Sequence, residues 1–312
     1  MGAGVNDSDF VQSFQIEGMN VRGRVVHLTG VAQRVLGAHG YPDIVSGLVA
    51  EALTLAALLG ASLKFDGMLT LQTRSAGPVR MIVADYATPG VLRACATFDR
   101  DAVAALGASP SFADLVGAGS LAITIDQGDD MERYQGIVPL DQRGLAKSAT
   151  GYFERSEQIP TAIKVSAAML SARGQGASPV WRAGGMMIQN LAALGGSVAV
   201  ASDVAEGGWT RASALFATID GVELVDPQVE SERLLYRLFH EDGVRAFAHQ
   251  PLSFGCRCSA ERVMGVLSSY SREELNELVE ENGSIKATCE FCATSYRFRP
   301  DELAGDDQLA AT

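Results

Sequence analysis

Four cysteines near the end of the chain, arranged as two close pairs, constrain its structure more than any other feature. Cys256 and Cys258 form a CxC pair, and Cys289 and Cys292 form a CxxC pair after thirty intervening residues. Structural Zn²⁺ takes four ligands in a tetrahedron, with thiolate sulfurs about 2.3 Å from the metal. Two pairs joined by a domain-sized loop therefore predict a single zinc site with four cysteine ligands, in preference to four structural thiols or permanent disulfides.

The thiolates that ligate zinc are also the groups that oxidants attack, so two interpretations stay open. In one, the zinc ribbon is permanently structural; in the other, loss of the metal releases two pairs of reactive thiols. Basic side chains close in sequence to the sulfurs favour the thiolate (Arg257, Arg262, Lys286 and Arg297). A bridge within the CxC pair would close a small strained ring, and strained disulfides are the labile, regulatory kind.

Composition and charge limit what kind of protein this is and which partners it can bind. A chain of 312 residues with 47% hydrophobic content can form a large core and more than one domain. Its net charge of −12 opposes a nucleic-acid partner, because phosphate binding depends on clustered Lys and Arg. The first residues, MGAGVNDSDF, lack a basic region followed by an apolar run, so we expect no secretion signal. Five cysteines without such a signal suit a reducing cytosol.

The first part of the chain predicts an α+β core. Residues 11–28 have strand character, and an apolar helix is predicted over 44–63, with Asp43 as its N-cap. That run is long enough to cross a bilayer, but Glu51 and the closing Lys64 favour a buried central helix. Three runs separated by turns then predict an antiparallel meander (Met68–Arg74, Val79–Tyr86 and Val91–Phe98).

No catalytic set is evident in this part of the sequence. Gly117–Ala122 fits the dinucleotide pattern GxGxxG/A only weakly, because that loop needs a helix after it and Leu121–Asp126 predicts a strand. Leu145–Ile159 has helical spacing, and Cys95 is interpreted as a small core residue. The four histidines are scattered, and each is interpreted as an ordinary surface or core residue (His27, His39, His240 and His249). Of these, His240 and His249 are the two candidates for a position near the metal.

From about Gly184 the chain changes character, with glycine pairs at 184–185, 195–196 and 207–208. Ala212–Ile219 and Glu230–His240 predict helices in an acidic stretch. This stretch can fold only if its apolar residues cover a surface (Trp209, Leu215, Phe216, Leu234, Leu235, Leu238 and Phe239). We interpret it as a linker of marginal stability, with a plain helical subdomain as the alternative.

The cysteine-rich end has its own local signals. Ser259 predicts the N-cap of a helix that extends to Leu267, and Ser271 opens a capping box. Ile285–Thr288 and Tyr296–Phe298 predict strands on either side of the CxxC pair. With so few apolar residues, metal binding must supply much of the folding free energy, on the order of 10 kcal/mol.

The cysteine pattern, within FGCRCSAERV and CEFCATSYRF, resembles the C-terminal domain of the 33 kDa chaperonin family, the redox-regulated heat-shock chaperones of bacteria. The resemblance continues upstream in the family's order and covers most of the chain. It includes LLYRLFHEDGVRAF (234–247), RAGGMMIQ (182–189), YFERSEQIPT (152–161), ERYQGIVPL (132–140) and LKFDGMLTLQTRSAGPVR (63–80).

The resemblance implies an ATP-independent holdase chaperone, inactive when reduced and zinc-bound and active when oxidised. By position, Cys256, Cys258, Cys289 and Cys292 would ligate one zinc per chain when reduced. On oxidation they would pair as Cys256–Cys258 and Cys289–Cys292. Unfolding client proteins would bind apolar surface that is exposed when the linker detaches, and the active form would be a homodimer. It implies no enzyme activity, and we expect no nucleic-acid or membrane partner.

The predicted architecture is an α+β core domain of antiparallel strands packed with helices over residues 8–182. A metastable helical linker (183–250), a small zinc-binding domain (251–300) and an acidic tail (301–312) follow. One alternative is a zinc-ribbon regulator that binds nucleic acid, which would need a basic face. Another is an enzyme with a structural zinc, which would need a catalytic set in residues 1–180.

Overall fold

The computed structural model describes residues 9–63, 66–128, 131–171, 178–191 and 202–303. The chain divides into two compact units, Met1–Phe254 and Gly255–Thr312. The strands of the first unit are β1 (Phe10–Ile16), β2 (Val21–Leu28), β3 (Met68–Ser75), β4 (Val79–Ala87), β5 (Val91–Phe98), β6 (Gly119–Asp126), β7 (Tyr134–Pro139), β8 (Thr161–Leu170), β9 (Val180–Asn190), β10 (Val244–Pro251) and β11 (Ser253–Phe254). Its helices are α1 (Gly30–Gly37), α2 (Asp43–Gly60), α3 (Arg100–Ala105), α4 (Phe112–Val116), α5 (Leu145–Tyr152), α6 (Ser202–Ala217) and α7 (Ser231–Phe239).

The second unit is small and holds the cysteine-rich end of the chain. It contains α8 (Ala260–Leu267), α9 (Arg272–Glu277), β12 (Ile285–Thr288), β13 (Ser295–Phe298) and α10 (Pro300–Leu303). Together the two units confirm the predicted α+β class, with antiparallel sheets and helices and a C-terminal cysteine cluster. Leu303 is buried, so the first residues of the predicted acidic tail are helical. Residues 304–312 lie outside the described part of the chain.

The strands of the first unit form two sheets. One has the order β10–β1–β2–β9–β8, and all neighbouring strands are antiparallel. The other has the order β11–β5–β4–β3–β6–β7, which confirms the predicted meander of β3, β4 and β5. The segment predicted as strand at 11–28 is a hairpin, because a short turn at Glu17–Met19 and a left-handed Asn20 separate β1 from β2.

Helix α2 lies between the two sheets and packs against β4 and β5 on one side and β8 and β9 on the other. It is long and apolar enough to cross a membrane, yet 78% of its 18 residues are buried in the unit. The buried central helix predicted from sequence is therefore present. The predicted N-cap is wrong: Pro42 is the capping residue and Asp43 is the first helical residue. Its carboxylate still lies at the positive end of the helix dipole.

The outer face of the first sheet carries a second apolar cluster, covered by the helical segment, which we define as residues 202–243. The sheet contributes Phe14, Ile16, Val21, Val25, Met186 and Ile188. The helical segment contributes Ala212, Phe216, Ile219, Leu224, Leu234, Leu235, Leu238 and Phe239. The apolar residues predicted to need a surface therefore find one on β1, β2 and β9.

Strand β9 crosses the position at which the sequence analysis placed the start of the linker, between residues 182 and 183. Gly184 and Gly185 lie inside this strand, between β2 and β8. A Cβ at Gly184 would clash with the main chain of Leu224, and one at Gly185 would meet the Thr54 methyl group of α2. This glycine pair therefore permits close packing on both faces of the sheet and is no sign of a flexible linker.

Other differences arise where pairing is remote in sequence. Residues 244–251, which the sequence analysis divides between the linker and the zinc domain, form β10, an edge strand paired with β1. Its side chains are mostly exposed, so the strand carries little apolar alternation. The helix predicted over Leu145–Ile159 ends at Tyr152 and continues as a wider π-helical turn. Gly195 and Gly196 lie outside the described residues.

Candidate metal centre

The CxC pair lies just before α8, in a stretch without regular secondary structure. As predicted, Ser259 is the N-cap of this helix, and the Arg262 backbone N–H donates to its Oγ at 3.2 Å. The Arg262 guanidinium also donates to the Arg257 carbonyl oxygen at 2.7 Å, across the pair. The cap and this second bond fix the direction in which the chain leaves Cys256 and Cys258.

The CxxC pair lies in the turn between β12 and β13. The Cys289 backbone N–H donates to the Thr294 carbonyl at 2.9 Å, and the Ala293 N–H donates to the Cys289 carbonyl at 2.8 Å. Ala293 has a positive φ of 56°, which turns the chain back toward β13. The result is a tight knuckle that holds Cys289 and Cys292 on the same side.

The four sulfur atoms lie together, within 4.8 Å of one another. Cys256 Sγ is 3.6 Å from Cys289 Sγ, and Cys258 Sγ is 3.4 Å from Cys292 Sγ. A tetrahedral site with Zn–S bonds of about 2.3 Å has sulfur–sulfur edges of about 3.8 Å, whereas a disulfide bond is about 2.05 Å long. None of the five cysteines is in a disulfide. The four sulfur donors and their spacing therefore fit a site in which thiolates bind a metal ion such as Zn²⁺ in a tetrahedron.

The two thiols of the CxxC pair differ in pKa because their surroundings differ. Burial raises the pKa of Cys289 to about 12. Burial acts in the same direction on Cys292, but hydrogen bonds from the Thr294 side chain and backbone and from neighbouring thiols lower its pKa to about 6. Of the two thiols of this pair, Cys292 therefore favours the thiolate more strongly than Cys289 does. A bound divalent cation then favours the thiolate at every sulfur.

Two hydroxyl groups approach the sulfurs, and sequence reasoning missed both. The Tyr296 hydroxyl donates to Cys258 Sγ at 3.1 Å, and Thr294 Oγ1 lies 3.2 Å from Cys292 Sγ. Part of the signal was present in the spacing, because residues two apart in an extended chain point to the same side. Thr294 and Tyr296 are so spaced at the start of β13.

The unit around the cysteines has a small apolar core. Its buried members are Leu267, Leu275, Ile285, Phe298 and Leu303. Ser271 and Glu274 form the predicted capping box at the start of α9, which is confirmed. With so little burial, a metal ion bound by the four sulfurs would contribute much of the stability of this unit.

The structure also places the other residues that the sequence analysis considered. Cys95 is buried in β5 and is not a member of the cysteine cluster, as predicted. Gly119 begins β6, so the dinucleotide-like pattern is not a loop that leads into a helix. His240 contacts the Tyr236 carbonyl and His249 contacts Glu232. In the described part of the chain, the group that could hold a metal ion consists of the four cysteines alone.

Comparison with known proteins agrees with this geometry. A family model described as Hsp33 protein matches residues 9–299. A 33 kDa chaperonin of Caulobacter vibrioides is 45% identical over 299 residues, spanning 94% of this chain and 95% of that protein. A 33 kDa chaperonin of Pseudomonas syringae pv. syringae is 38% identical, spanning 95% of this chain and 92% of that protein.

A solved structure extends the likeness to the fold. The crystal structure of a 33 kDa chaperonin (heat shock protein 33 homolog) from Thermotoga maritima has a TM-score of 0.76 and 20% identity, covering 95% of this chain and 96% of that one. At this identity the match bears on the fold alone. The family model and the two relatives span nearly the whole chain, so they also show its family. The chain belongs to the Hsp33 protein family, whose members are chaperonins and not enzymes.

Proposed function

We propose that this chaperone is an ATP-independent holdase of the cytosol, controlled by oxidation of its zinc-ligating cysteines. In the reduced state Cys256, Cys258, Cys289 and Cys292 hold one Zn²⁺ per chain and the protein is inactive. In the oxidised state the site is empty, and the protein, as a homodimer, binds unfolding client proteins. Membership of a chaperonin family supports the chaperone activity.

The observation that carries this proposal is the cluster of four sulfurs within 4.8 Å of one another. The same set suits a thiolate metal site when reduced and provides two dithiol pairs for oxidation. When bound, zinc cross-links the CxC stretch and the CxxC turn. Since thiolate is required for ligation, oxidation and metal binding exclude each other.

Oxidation by hydrogen peroxide balances as two steps for each pair. One thiolate attacks the peroxide, which forms a sulfenic acid and releases hydroxide. The second thiolate attacks that sulfur, which forms the disulfide and releases a second hydroxide. We assign the bridges Cys256–Cys258 and Cys289–Cys292, because a short loop costs less entropy to close than one of thirty residues.

The helical segment supplies the surface that becomes available to clients. In the folded state its apolar side chains, among them Leu235 and Phe239, cover the outer face of β1, β2 and β9. Detachment would expose both apolar faces at once, that of the sheet and that of α7. Exposed apolar area of this kind is what an unfolding chain, itself rich in exposed apolar groups, binds.

A light-scattering assay tests the function directly. A heat-labile client is warmed with reduced, zinc-loaded protein or with peroxide-oxidised protein, side by side. We expect the oxidised protein to suppress aggregation at about equimolar ratio and the reduced protein to leave it unchanged. A variant with all four cysteines replaced by serine is the control, since peroxide should not change its activity. Equal activity of reduced and oxidised wild-type protein would rule out redox control.

A further inference from the structure

We propose that Tyr296 is a positioning residue whose hydroxyl protects the CxC pair from oxidation by donating a hydrogen bond to Cys258. The inference rests on the proposed function, because it assigns a determinant of the oxidation threshold to the same cysteine site. Nothing in the spacing of the cysteines requires a tyrosine here.

The position of the Tyr296 hydroxyl is fixed by the packing of its ring. Tyr296 lies on β13, paired with Ala287 of β12. Its ring is half-buried and stacks with Phe298, with ring centroids 6.5 Å apart and an interplanar angle of 19°. Phe298 is itself part of the buried apolar cluster. The ring is therefore held by the core of the unit, and its hydroxyl reaches Cys258 Sγ at 3.1 Å.

The backbone supplies hydrogen bonds to both cysteines of the CxxC pair, in addition to the Thr294 hydroxyl that lies 3.2 Å from Cys292 Sγ. Cys289 accepts from the backbone N–H groups of Phe291 and Cys292, and Cys292 accepts from the backbone N–H of Thr294. Those bonds belong to the knuckle and form wherever the turn folds. The bond to Cys258 comes from a side chain, so a single oxygen atom can be removed without altering the turn.

This difference has a chemical consequence for the first oxidation step. A thiolate that accepts an O–H···S bond has part of its lone-pair density engaged and is a poorer nucleophile toward peroxide. The same bond stabilises the thiolate as a metal ligand, in the way that outer hydrogen-bond partners do in other metal sites. Without the hydroxyl, Cys258 should attack peroxide sooner, with Cys256 completing the disulfide as described above.

The test compares Tyr296→Phe with the wild type. Both proteins are loaded with zinc, and its release by excess hydrogen peroxide is followed with a chromophoric chelator. A second titration with chelator alone measures zinc affinity without oxidant. We expect release about tenfold faster and affinity about tenfold weaker in Tyr296→Phe. Alkylation of residual thiols followed by mass spectrometry should show the Cys256–Cys258 bridge forming earlier than in the wild type.

Two further variants separate the hydrogen bond from the packing of the ring. Tyr270→Phe removes the hydroxyl of an exposed tyrosine in the same unit and should leave the rate of Cys256–Cys258 formation unchanged. Replacement of Tyr296 by 4-aminophenylalanine restores a donor at the same place and should return zinc retention toward the wild-type value. If Tyr296→Phe binds no zinc at all, recovery with the amine still supports the hydrogen bond, and failure to recover contradicts it.

Unchanged release and affinity in Tyr296→Phe would overturn the inference. This outcome is distinct from failure of the proposed function, which is measured by client aggregation with fully oxidised wild-type protein. An oxidised wild type that does not hold clients would overturn the function, whatever Tyr296 does. An active oxidised wild type with no effect of Tyr296→Phe would overturn the role of the tyrosine alone.

Discussion

At the scale of single residues, Cys95 differs from the four clustered cysteines in its surroundings. Cys95 is buried in a strand of the first unit, while the other four lie in two turns with their sulfurs together. We therefore expect Cys→Ser at 256, 258, 289 or 292 to weaken zinc retention by at least about tenfold. Cys95→Ser should keep one zinc per chain. Zinc analysis of freshly purified, reduced protein measures both, and a content near zero in the wild type would contradict the assignment.

Histidine 27 gives the first unit a dependence on pH. It lies on β2 against Phe10, with ring centroids 5.1 Å apart, and its Nε2 is buried without a hydrogen-bond partner. Burial lowers its pKa to about 4; the charges of Arg182 and His249 act in the same direction and Glu232 acts in the opposite one. The unfolded chain binds this proton at about pH 6.5, so the unfolded state takes up more protons between these values.

The sign follows from this difference: stability is complete above about pH 6.5 and is lost as the pH falls toward about 4. We expect His27 to cost the folded state about 1–2 kcal/mol at about pH 5 relative to about pH 7. Urea unfolding of the wild type and of His27→Gln at these two pH values measures the effect. His27→Gln should show the smaller difference, and equal differences in the two proteins would refute this account.

Single residues also show which features can be predicted from the sequence: those that depend on neighbouring residues. The caps at Ser259 and Ser271 were predictable, because a cap depends on residues within one turn. The cap of α2 was placed one position too late, at Asp43, since a helix start with Pro and Asp adjacent allows either as the cap. The hydroxyl of Tyr296 was missed, because its partner Cys258 is 38 residues away and the contact exists only once both turns have folded.

At the scale of elements, we expect detachment of α7 from the sheet to activate the chaperone. Leu235 and Phe239 are fully buried against the sheet, while Tyr236 is 66% exposed. Leu235→Gln or Phe239→Gln should weaken this packing by about 2–4 kcal/mol. We expect these variants to suppress client aggregation while still reduced and zinc-loaded, and Tyr236→Gln to behave as the wild type. Inactivity of both buried-site variants, with α7 shown to be unfolded by hydrogen exchange, would exclude exposure of this face as the mechanism.

The elements predicted correctly are those specified locally, and the ones missed depend on remote pairing. Strands β3, β4 and β5 follow one another with turns between, and α2 is a continuous apolar run. By contrast, β10 pairs with β1, so that Gln12 lies opposite His249. No local pattern marks such a strand when its side chains are exposed. The glycines of β9 were misread for the same reason, since their function is contact with Leu224 and α2.

At the scale of the whole molecule, the two units differ in what stabilises them. Among the described residues, the first unit has two apolar clusters built on either face of its first sheet, whereas the second has five buried apolar side chains and the cluster of four cysteines. Metal loss should therefore unfold the second unit and leave the sheets of the first intact. The sequence already indicated this contrast, because the cysteine spacing and the scarcity of apolar residues lie in the same short segment.

Hydrogen–deuterium exchange of reduced and oxidised protein tests the switch as a whole. We expect oxidation to give fast exchange over residues 255–303 and over the helical segment, and slow exchange in α2 and in β3–β5. The structure shifts the expected boundary: β9 is paired on both sides, so it should stay protected through Asn190. Among the described strands, β10 is paired with β1 alone, and His249 contacts Glu232 at the start of α7. It should therefore lose protection together with the helical segment.

The control for this experiment is the reduced variant with all four cysteines replaced by serine, which should exchange like the oxidised wild type because it also lacks the metal cross-link. If it does, loss of the metal suffices for unfolding and the disulfides serve to keep the site empty. If holdase activity appears on oxidation while exchange in residues 202–251 is unchanged, unfolding of the helical segment is not the mechanism. Clients would then have to bind the unfolded second unit or a surface of the first unit that is already exposed.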